Sequence, residues 1–205
     1  MTARFISLEG GEGVGKSTQA KALAADLRGR GLAVVETREP GGSPGAEAIR
    51  TLLLHDHHWP AEAEALLFAA ARSDHVARTI RPALAAGKWV VCDRFLDSSI
   101  AYQGGAGGLG FAAIRALHEF GSGNFLPDRT LLLRLPEAEA DRRASRRDVA
   151  GADLIGGRGA GYHRAVADAF AQLAGDEPGR YRIVDASGPP EEVTARLLAA
   201  LEDLL

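Results

Sequence analysis

The chain has 205 residues, of which 46% are hydrophobic and 25% charged, and this suits one globular domain with a buried core. Its formal net charge of −3 gives no support to binding of nucleic acid or of an anionic membrane surface. The single cysteine, Cys92, excludes an internal disulfide and a cysteine-based zinc site, and it fits a reducing compartment. The amino terminus lacks the apolar core of a signal peptide, and no run of about 18 apolar residues follows, so we predict a cytoplasmic location without membrane contact.

Short apolar runs alternate with alanine-rich stretches along the chain. The apolar runs predict five buried strands, at 5–8, 33–37, 89–92, 130–135 and 181–184. The intervening stretches predict helices at 16–30, 44–54, 61–86, 111–120, 137–146, 163–174 and 190–204. This alternation predicts an α/β fold with a mainly parallel sheet flanked by helices. Ligands of such sheets bind beyond the carboxyl ends of the strands, where this chain carries the segments EGGEG, TREPGG and CDRF.

No internal repeat or linker divides the chain, so we predict one domain over residues 1–205. The stretch 104–110, GGAGGLG, is too rich in glycine for a helix or strand and predicts a loop that other backbone approaches closely. The stretch 142–161 combines arginines with glycines and predicts a lid.

The segment EGGEGVGKST satisfies the P-loop pattern, with Gly10, Gly15, Lys16 and Ser17 at the required spacing. It follows a predicted strand and opens a predicted helix, so backbone N–H groups and the helix N-terminus can surround phosphate. In this arrangement Lys16 would reach the β and γ phosphates of ATP, and Ser17 would bind Mg²⁺. The alternative is a glycine-rich turn without a ligand. The predicted ATP-binding residues are Gly10, Gly11, Glu12, Gly13, Val14, Gly15, Lys16, Ser17 and Thr18.

The end of the third predicted strand narrows the class of P-loop protein. A GTPase switch would need an Asn-Lys-x-Asp guanine reader, but the asparagine of this chain, Asn124, lies in GNFLPD. A motor ATPase would end this strand in Asp-Glu, whereas here it ends in Asp93-Arg94. An arginine at this point suggests a second phosphate nearby, as in a kinase with a phosphorylated acceptor.

Several further segments resemble the motifs of thymidylate kinases. The segment VCDRFLDSSIAYQG at 91–104 is similar to the signature of that family, and TREPGG at 37–42 and LFAAAR at 67–72 are similar to two of its other motifs. The resemblance implies the nucleoside monophosphate kinase fold, a homodimer, and Mg²⁺-dependent transfer of the ATP γ-phosphoryl group to dTMP, giving dTDP for DNA precursor synthesis.

The resemblance also implies roles at the phosphates. Arg38 and Arg94 would hold the dTMP phosphate, and Arg94 could also lie between donor and acceptor. Asp93 would orient Mg²⁺ through water, or fix a neighbouring cation. Arg50 would be a further phosphate contact or else a solvated helix arginine.

The predicted base and sugar contacts have structural alternatives. Phe68 and Arg72 stand four residues apart on a predicted helix and share one face, so the ring can stack on a pyrimidine while the guanidinium donates to its O4. Taken singly, they would be a core phenylalanine and a surface ion pair. Gln103 suits the N3–H edge of thymine, and Ser98 and Ser99 are shorter polar partners or helix caps. Tyr102 resembles the family's ring under the sugar, where a 2′-hydroxyl would collide, or it is a core tyrosine.

Glu12 raises a question, because a carboxylate in a phosphate loop should repel the ligand. The resemblance implies that it points to the acceptor sugar and accepts from the 3′-hydroxyl; the alternative is that it tilts into solvent. The loop contains no arginine, which resembles a subclass of the family that uses lid arginines. The predicted catalytic residues are therefore Lys16, Arg94, Asp93, Glu12 and, in the lid, Arg143, Arg147 and Arg158, with Arg146 a further candidate.

The lid departs from the family pattern, since Asp153-Leu154-Ile155-Gly156 stands where Asp-Arg-Ile-Glu is usual. Two alternatives to a dTMP kinase follow: a kinase for another nucleoside monophosphate, or a non-catalytic nucleotide sensor. The run 55–58, HDHH, predicts a solvated loop in preference to a metal cluster, and Cys92 predicts inert packing.

Overall fold

The structure is a computed structural model that describes residues 2–55, 59–136, 139–140, 142 and 159–205. Five strands form one parallel sheet in the order β2-β3-β1-β4-β5. They are β1 (Phe5–Glu9), β2 (Val34–Arg38), β3 (Trp89–Asp93), β4 (Arg129–Arg134) and β5 (Tyr181–Asp185). The predicted α/β fold with a five-stranded parallel sheet is confirmed, and no strand end differs from its prediction by more than one residue.

Helices join successive strands, as the rule for parallel neighbours requires. The α-helices are α1 (Lys16–Gly29), α2 (Pro44–His55), α3 (Ala61–His75), α4 (Arg81–Ala85), α5 (Leu96–Ser99), α6 (Phe111–Ser122), α7 (Ala160–Asp176) and α8 (Pro190–Ala199). Two π-helical segments complete the described elements, at Val76–Ile80 and Ile100–Ala106.

The sheet is covered on both faces, which is why its central strands β3, β1 and β4 are almost wholly buried. All five residues of β1 are buried. Phe5 packs in a core with residues of α3, α6 and α7, whereas Ile6 and Leu8 belong to a second core with α1 and α8. The carboxyl ends of β1 and β3 are therefore held between two packed layers, and the loops that leave them start from fixed positions.

The single helix predicted at 61–86 is wrong in its middle. The structure has α3, the π-helical segment Val76–Ile80 and then α4. Pro82 stands in the first turn of α4 and has no N–H to donate to the preceding turn. A local change from α to π hydrogen bonding is one way in which a helix accommodates such a residue.

The loop predicted at 104–110 is wrong in its first half, because the π-helical segment Ile100–Ala106 runs into it. The predicted close approach does occur. A Cβ on Gly105 would lie 2.8 Å from Cβ of Ala169 in α7, and a Cβ on Gly104 would lie 3.2 Å from the carbonyl oxygen of Gly110. The glycines let this segment pack against α7, and α5 just before it is a helix that the sequence did not predict.

The remaining predictions differ at helix ends or fall on residues that are not described. The helix predicted at 163–174 begins earlier and ends later, as α7, and the one predicted at 190–204 ends as α8 at Ala199. Residues 143–158 of the predicted lid and most of the helix predicted at 137–146 lie outside the described residues, as does most of the run 55–58, and α7 begins at the end of the predicted lid. In the part of the chain that is described, no helix has the length and apolar character needed to cross a bilayer.

Candidate active site

One cavity of about 370 Å³ opens at the carboxyl ends of β1, β2 and β3. It has the P-loop on one side and the residues that follow β2 and β3 on the other. The ten residues predicted to bind dTMP all line it: Glu12, Arg38, Arg50, Phe68, Arg72, Arg94, Ser98, Ser99, Tyr102 and Gln103. Residues from five separate stretches of the chain, at 12, 38, 50, 68–72 and 94–103, thus meet in one place.

The P-loop bends as its glycines allow. Gly10, Gly13 and Gly15 have φ of 139°, 74° and 92°, a region that favours glycine. A Cβ on Gly10 would also lie 2.5 Å from the carbonyl oxygen of Leu133, so only glycine fits there. Of the predicted ATP-binding residues, Val14 is buried in the core, and those lining the cavity are Glu12, Gly13, Gly15, Lys16, Ser17 and Thr18.

Lys16 lies at the start of α1 with its side chain almost completely buried. Its Nζ donates to the carbonyl oxygen of Gly11 at 2.5 Å, so the ammonium lies inside the curve of the loop. Burial, together with the nearby charge of Arg94, lowers the pKa of Lys16 to about 8. A phosphate bound in the loop would restore the preference for the charged form.

Ser17 and Asp93 form a pair of oxygen donors beside Lys16. The Ser17 hydroxyl donates to Oδ2 of Asp93 at 2.5 Å, while Oδ1 of Asp93 is buried and has no hydrogen-bond partner among the described residues. Hard oxygen donors of this kind suit Mg²⁺, which takes one or two protein oxygens and completes its shell with phosphate and water. The residues present therefore fit the predicted ion. No group of three or more His, Cys, Asp or Glu side chains that could hold a metal occurs among the residues described.

Arg94 connects the P-loop to Ser98 and Tyr102, two of the residues predicted to bind dTMP. Its Nη1 donates to the carbonyl oxygen of Gly10 at 3.3 Å and to Oγ of Ser98 at 3.1 Å. Its Nη2 donates to Glu12 and, at 3.3 Å, to the Tyr102 hydroxyl. The φ of Arg94 is 68°, an unusual value for a residue with a side chain. In this conformation the guanidinium contacts the P-loop.

Glu12 is held between Arg94 and Tyr102. The Tyr102 hydroxyl donates to Oε1 of Glu12 at 3.1 Å, and the same oxygen accepts from Arg94. The Glu12 side chain is 16% exposed, so it does not extend into solvent. Its charge is compensated inside the cavity, which explains how a phosphate-binding loop tolerates it.

The guanidinium of Arg72 is fixed by buried partners. Its Nε donates to Oε2 of Glu39 at 2.8 Å, and its Nη2 donates to Oγ of Ser99 at 2.7 Å. The other oxygen of Glu39 lies 3.0 Å from Nδ1 of His75. Nη1 of Arg72 has no hydrogen-bond partner in the described part of the chain, which leaves it free to donate into the cavity.

Three carboxylates that support the cavity residues were not predicted from the sequence as site residues, and one of them, Glu39, itself lines the cavity. Glu9 accepts from the Ser98 hydroxyl at 2.6 Å, Glu39 accepts from Arg72, and Glu64 accepts from Gln103 Nε2 at 2.8 Å. Burial, with the nearby charge of Asp97, raises the pKa of Glu9 to about 8. Helical spacing could have revealed Glu64, because it stands four residues before Phe68 on α3. No motif or spacing in the neighbouring sequence predicts that Glu9 belongs to the site or that Glu39 contacts Arg72.

The remaining residues predicted to contact dTMP come from β2, α2 and α3. Arg38 is half-exposed and donates to both carboxylate oxygens of Glu47 at 3.1 Å. Arg50 donates to the carbonyl oxygen of Pro40 at 2.7 Å, and Phe68 is half-buried against the cavity. The lid arginines Arg143, Arg146, Arg147 and Arg158 lie outside the described residues.

The site combines a P-loop, two oxygen donors suited to Mg²⁺ on Ser17 and Asp93, and a pocket lined by arginines, on a five-stranded parallel sheet. Together these features define a phosphotransferase of the nucleoside monophosphate kinase fold. The family model for thymidylate kinase matches residues 8–197 of the chain. The chain therefore belongs to the thymidylate kinase family, and it is an ATP-dependent dTMP kinase.

Individual relatives agree over the full length. The chain is 66% identical over 207 residues to a thymidylate kinase of Rhizorhabdus wittichii, with 100% of both chains covered. It is 48% identical over 208 residues to a thymidylate kinase of Pseudomonas savastanoi pv. phaseolicola, with 100% of this chain and 98% of that one covered. Among solved structures, the thymidylate kinase of Ehrlichia chaffeensis matches with a TM-score of 0.81 and 29% identity, covering 98% of this chain and 100% of that one.

Proposed function

We propose that the cavity binds ATP over the P-loop and dTMP against Phe68, Arg72 and Arg94, and that the γ-phosphoryl group moves in line between them to give dTDP. The observation that carries this proposal is the position of Arg94. Its guanidinium contacts the Gly10 carbonyl and Glu12 of the P-loop, and also Ser98 and Tyr102 on the side where dTMP would bind. A cation between two polyanions is what the reaction requires.

The chemistry needs positioning and charge compensation more than proton removal. The second pKa of a phosphate monoester is about 6, so the acceptor oxygen is largely ionised at neutral pH. Lys16 would donate to the β and γ phosphates, and Arg94 would hold the acceptor phosphate and stabilise the charge shared between the two groups. Mg²⁺ held by Ser17 and, through water, by Asp93 would neutralise charge on the ATP phosphates. Glu12, Lys16, Asp93 and Arg94 are thus the proposed catalytic residues of the described part of the chain.

The acceptor would be recognised along its length. The ring of Phe68 would stack on thymine, Nη1 of Arg72 would donate to O4, and Gln103 and Ser99 would face the N3 edge. Glu12 would accept from the 3′-hydroxyl, and the buried ring of Tyr102 would occupy the space that a ribose 2′-hydroxyl needs. Arg38 and Arg50 would add contacts to the phosphate, with Arg38 shared between it and Glu47.

The lid arginines named in this proposal lie outside the described residues. Because the P-loop has no arginine, we expect one of Arg143, Arg147 and Arg158 to neutralise the transferring phosphoryl group, from a lid at 142–161 in a single domain.

We also propose that the kinase is a cytoplasmic homodimer. On α3 and α6, which pack together, Leu66 is 55% and Phe120 is 94% exposed. Burial of such side chains against a second copy would be favourable. Light scattering that returns a monomer at assay concentrations would contradict this assembly.

A coupled ADP-release assay with dTMP, dUMP, UMP and dCMP as acceptors tests the function. We expect the highest kcat/KM with dTMP. Equal turnover of UMP would contradict the role of Tyr102, and a better acceptor with another base would indicate a different monophosphate kinase. Tight ATP binding without dTMP-dependent ADP release would indicate a sensor, an alternative that family membership does not favour.

A further inference from the structure

We propose that Glu64 determines base specificity by fixing the orientation of the Gln103 side-chain amide. Glu64 does not line the cavity, so it would act through Gln103 and is a positioning residue. The consequence would be a preference for pyrimidines that carry a hydrogen on N3 over cytosine, whose N3 accepts. This inference rests on the proposed function, because it concerns how the same site reads its acceptor.

The two side chains form a buried pair between distant parts of the chain. Nε2 of Gln103 donates to Oε1 of Glu64 at 2.8 Å, across 39 positions of sequence. Glu64 lies on α3, and Gln103 lies in the π-helical segment Ile100–Ala106. Gln103 is 3% exposed and Glu64 is 7% exposed, so water cannot easily replace either partner.

The chemistry of the pair allows one orientation of the amide. A carboxamide carries a donor on one side and an acceptor on the other, and the two are nearly equal in size. A carboxylate only accepts, so it selects the nitrogen of Gln103 and rejects the oxygen. In a buried site, two acceptors in contact would both lose their hydrogen bonds. Glu64 therefore turns Oε1 of Gln103 to the opposite edge of the amide.

The opposite edge is available to a ligand. Gln103 lines the cavity, and Oε1 accepts no hydrogen bond from any residue that the structure describes. The backbone that carries the side chain is also held, because the Gly110 amide donates to the Gly104 carbonyl at 2.8 Å and the Leu109 amide donates to the Gln103 carbonyl at 3.2 Å. The glycine-rich stretch 104–110 thus fixes the backbone of Gln103, while Glu64 fixes the amide at the end of its side chain.

An acceptor at this edge separates the pyrimidines. Thymine and uracil present N3–H to Oε1, whereas cytosine presents a lone pair that would oppose it. Arg72 would favour thymine and uracil over cytosine at the neighbouring position as well, because its Nη1 can donate to the O4 oxygen but not to the amino group of cytosine. Each of these two side chains is held by a carboxylate: Arg72 donates to Glu39, and Gln103 donates to Glu64.

The variant Glu64→Gln tests the inference because it keeps the shape but can pair with either orientation of Gln103. We expect the ratio of kcat/KM for dTMP to that for dCMP to fall about tenfold, as one hydrogen bond of about 1.4 kcal/mol implies. The KM for dTMP should rise while the KM for ATP and the melting temperature stay near wild type. The control Glu62→Gln removes an exposed acid from the same helix and should leave the ratio unchanged.

A double-mutant cycle shows whether Glu64 acts through Gln103. In a Gln103→Met background, which itself should lower the ratio, Glu64→Gln should have no further effect. An unchanged ratio in Glu64→Gln, or a full effect in the Gln103→Met background, would overturn the inference. If Glu64→Gln unfolds, the double variant Glu64→Met/Gln103→Met removes both polar partners together and should match Gln103→Met alone. Failure of the proposed function would look different, since wild-type protein would then release no ADP with dTMP.

Discussion

The carboxylate of Glu12 and the guanidinium of Arg94 form an ion pair between the P-loop and the segment that follows β3, with the two side chains 16% and 18% exposed. The pair explains why an acid stands in a phosphate-binding loop, since a compensated carboxylate repels phosphate less than a free one. It also holds Arg94 in place before either nucleotide arrives. Pre-organised charge of this kind lowers a barrier without a reorganisation cost at the moment of reaction.

The first prediction concerns Arg94. Arg94→Ala removes the cation proposed to lie between donor and acceptor, so kcat should fall by about 10²–10³-fold, as for loss of one pre-organised donor in other enzymes. The measurement is steady-state kinetics with dTMP, together with circular dichroism to establish the fold. Arg30→Ala, which removes an exposed arginine paired with Asp26 on the surface, is the matched control. Near-normal turnover of Arg94→Ala would refute the placement.

The second prediction separates base binding from core packing. Phe68→Ala should raise the KM for dTMP about tenfold or more, because stacking of a base on an aromatic ring contributes about 1–3 kcal/mol. The KM for ATP should not change. Phe111 is also half-buried but packs against the core and does not line the cavity, so Phe111→Ala should lower the melting temperature and leave the KM for dTMP unchanged. If Phe68→Ala changes only the KM for ATP, the base site is misassigned.

The third prediction concerns Ser17 and Asp93, the two residues proposed to hold Mg²⁺. Asp93→Asn keeps an acceptor for the Ser17 hydroxyl but removes the charge, so the Mg²⁺ concentration for half-maximal activity should rise about 10–100-fold, as for other outer-shell ligands. A Mg²⁺ titration of activity at saturating ATP and dTMP measures this. The same titration of Asp26→Asn, an exposed aspartate of α1, should match wild type. An unchanged Mg²⁺ requirement in Asp93→Asn would mean that Asp93 serves only to cap or pair.

The sheet and the P-loop could be predicted because their signals are local. A buried parallel strand is a continuous apolar run, and the P-loop is a set of neighbouring residues whose spacing its backbone imposes. The cavity residues could be proposed because they fall in short motifs at the ends of strands and on one helix face. The structure brings all ten predicted acceptor residues to one cavity, while their roles stay predictions.

The supporting contacts could not be predicted because their partners are far apart in sequence. Ser98 and Glu9 are 89 positions apart, and Arg72 and Glu39 are 33 apart. Only the fold brings these residues together, and the position of an acidic residue in the sequence does not show which residue it will contact. The second π-helical segment was not predicted either, and its close packing of Gly105 against Ala169 is again a contact between distant parts of the sequence.

The fourth prediction concerns the pH dependence of ATP binding through Lys16. Burial and the neighbouring Arg94 lower the pKa of Lys16 to about 8 in the protein without ligand. A bound triphosphate favours the charged ammonium and so raises this pKa. Below about pH 8 the lysine is already protonated and binding takes up no proton, whereas above it binding must take up one. The Kd for ATP should therefore rise by up to tenfold for each pH unit above about 8, until the pH reaches the pKa of the bound state.

Isothermal titration calorimetry between about pH 7 and pH 9.5, in two buffers with different ionisation enthalpies, measures both the Kd and the number of protons taken up. The uptake should approach one at the upper end. Lys88→Arg, which changes an exposed lysine, should keep the wild-type profile. Lys16→Arg should lose the proton uptake, because a guanidinium stays charged throughout this range. A wild-type Kd that is constant across the range would mean that Lys16 is not the group that meets the phosphates.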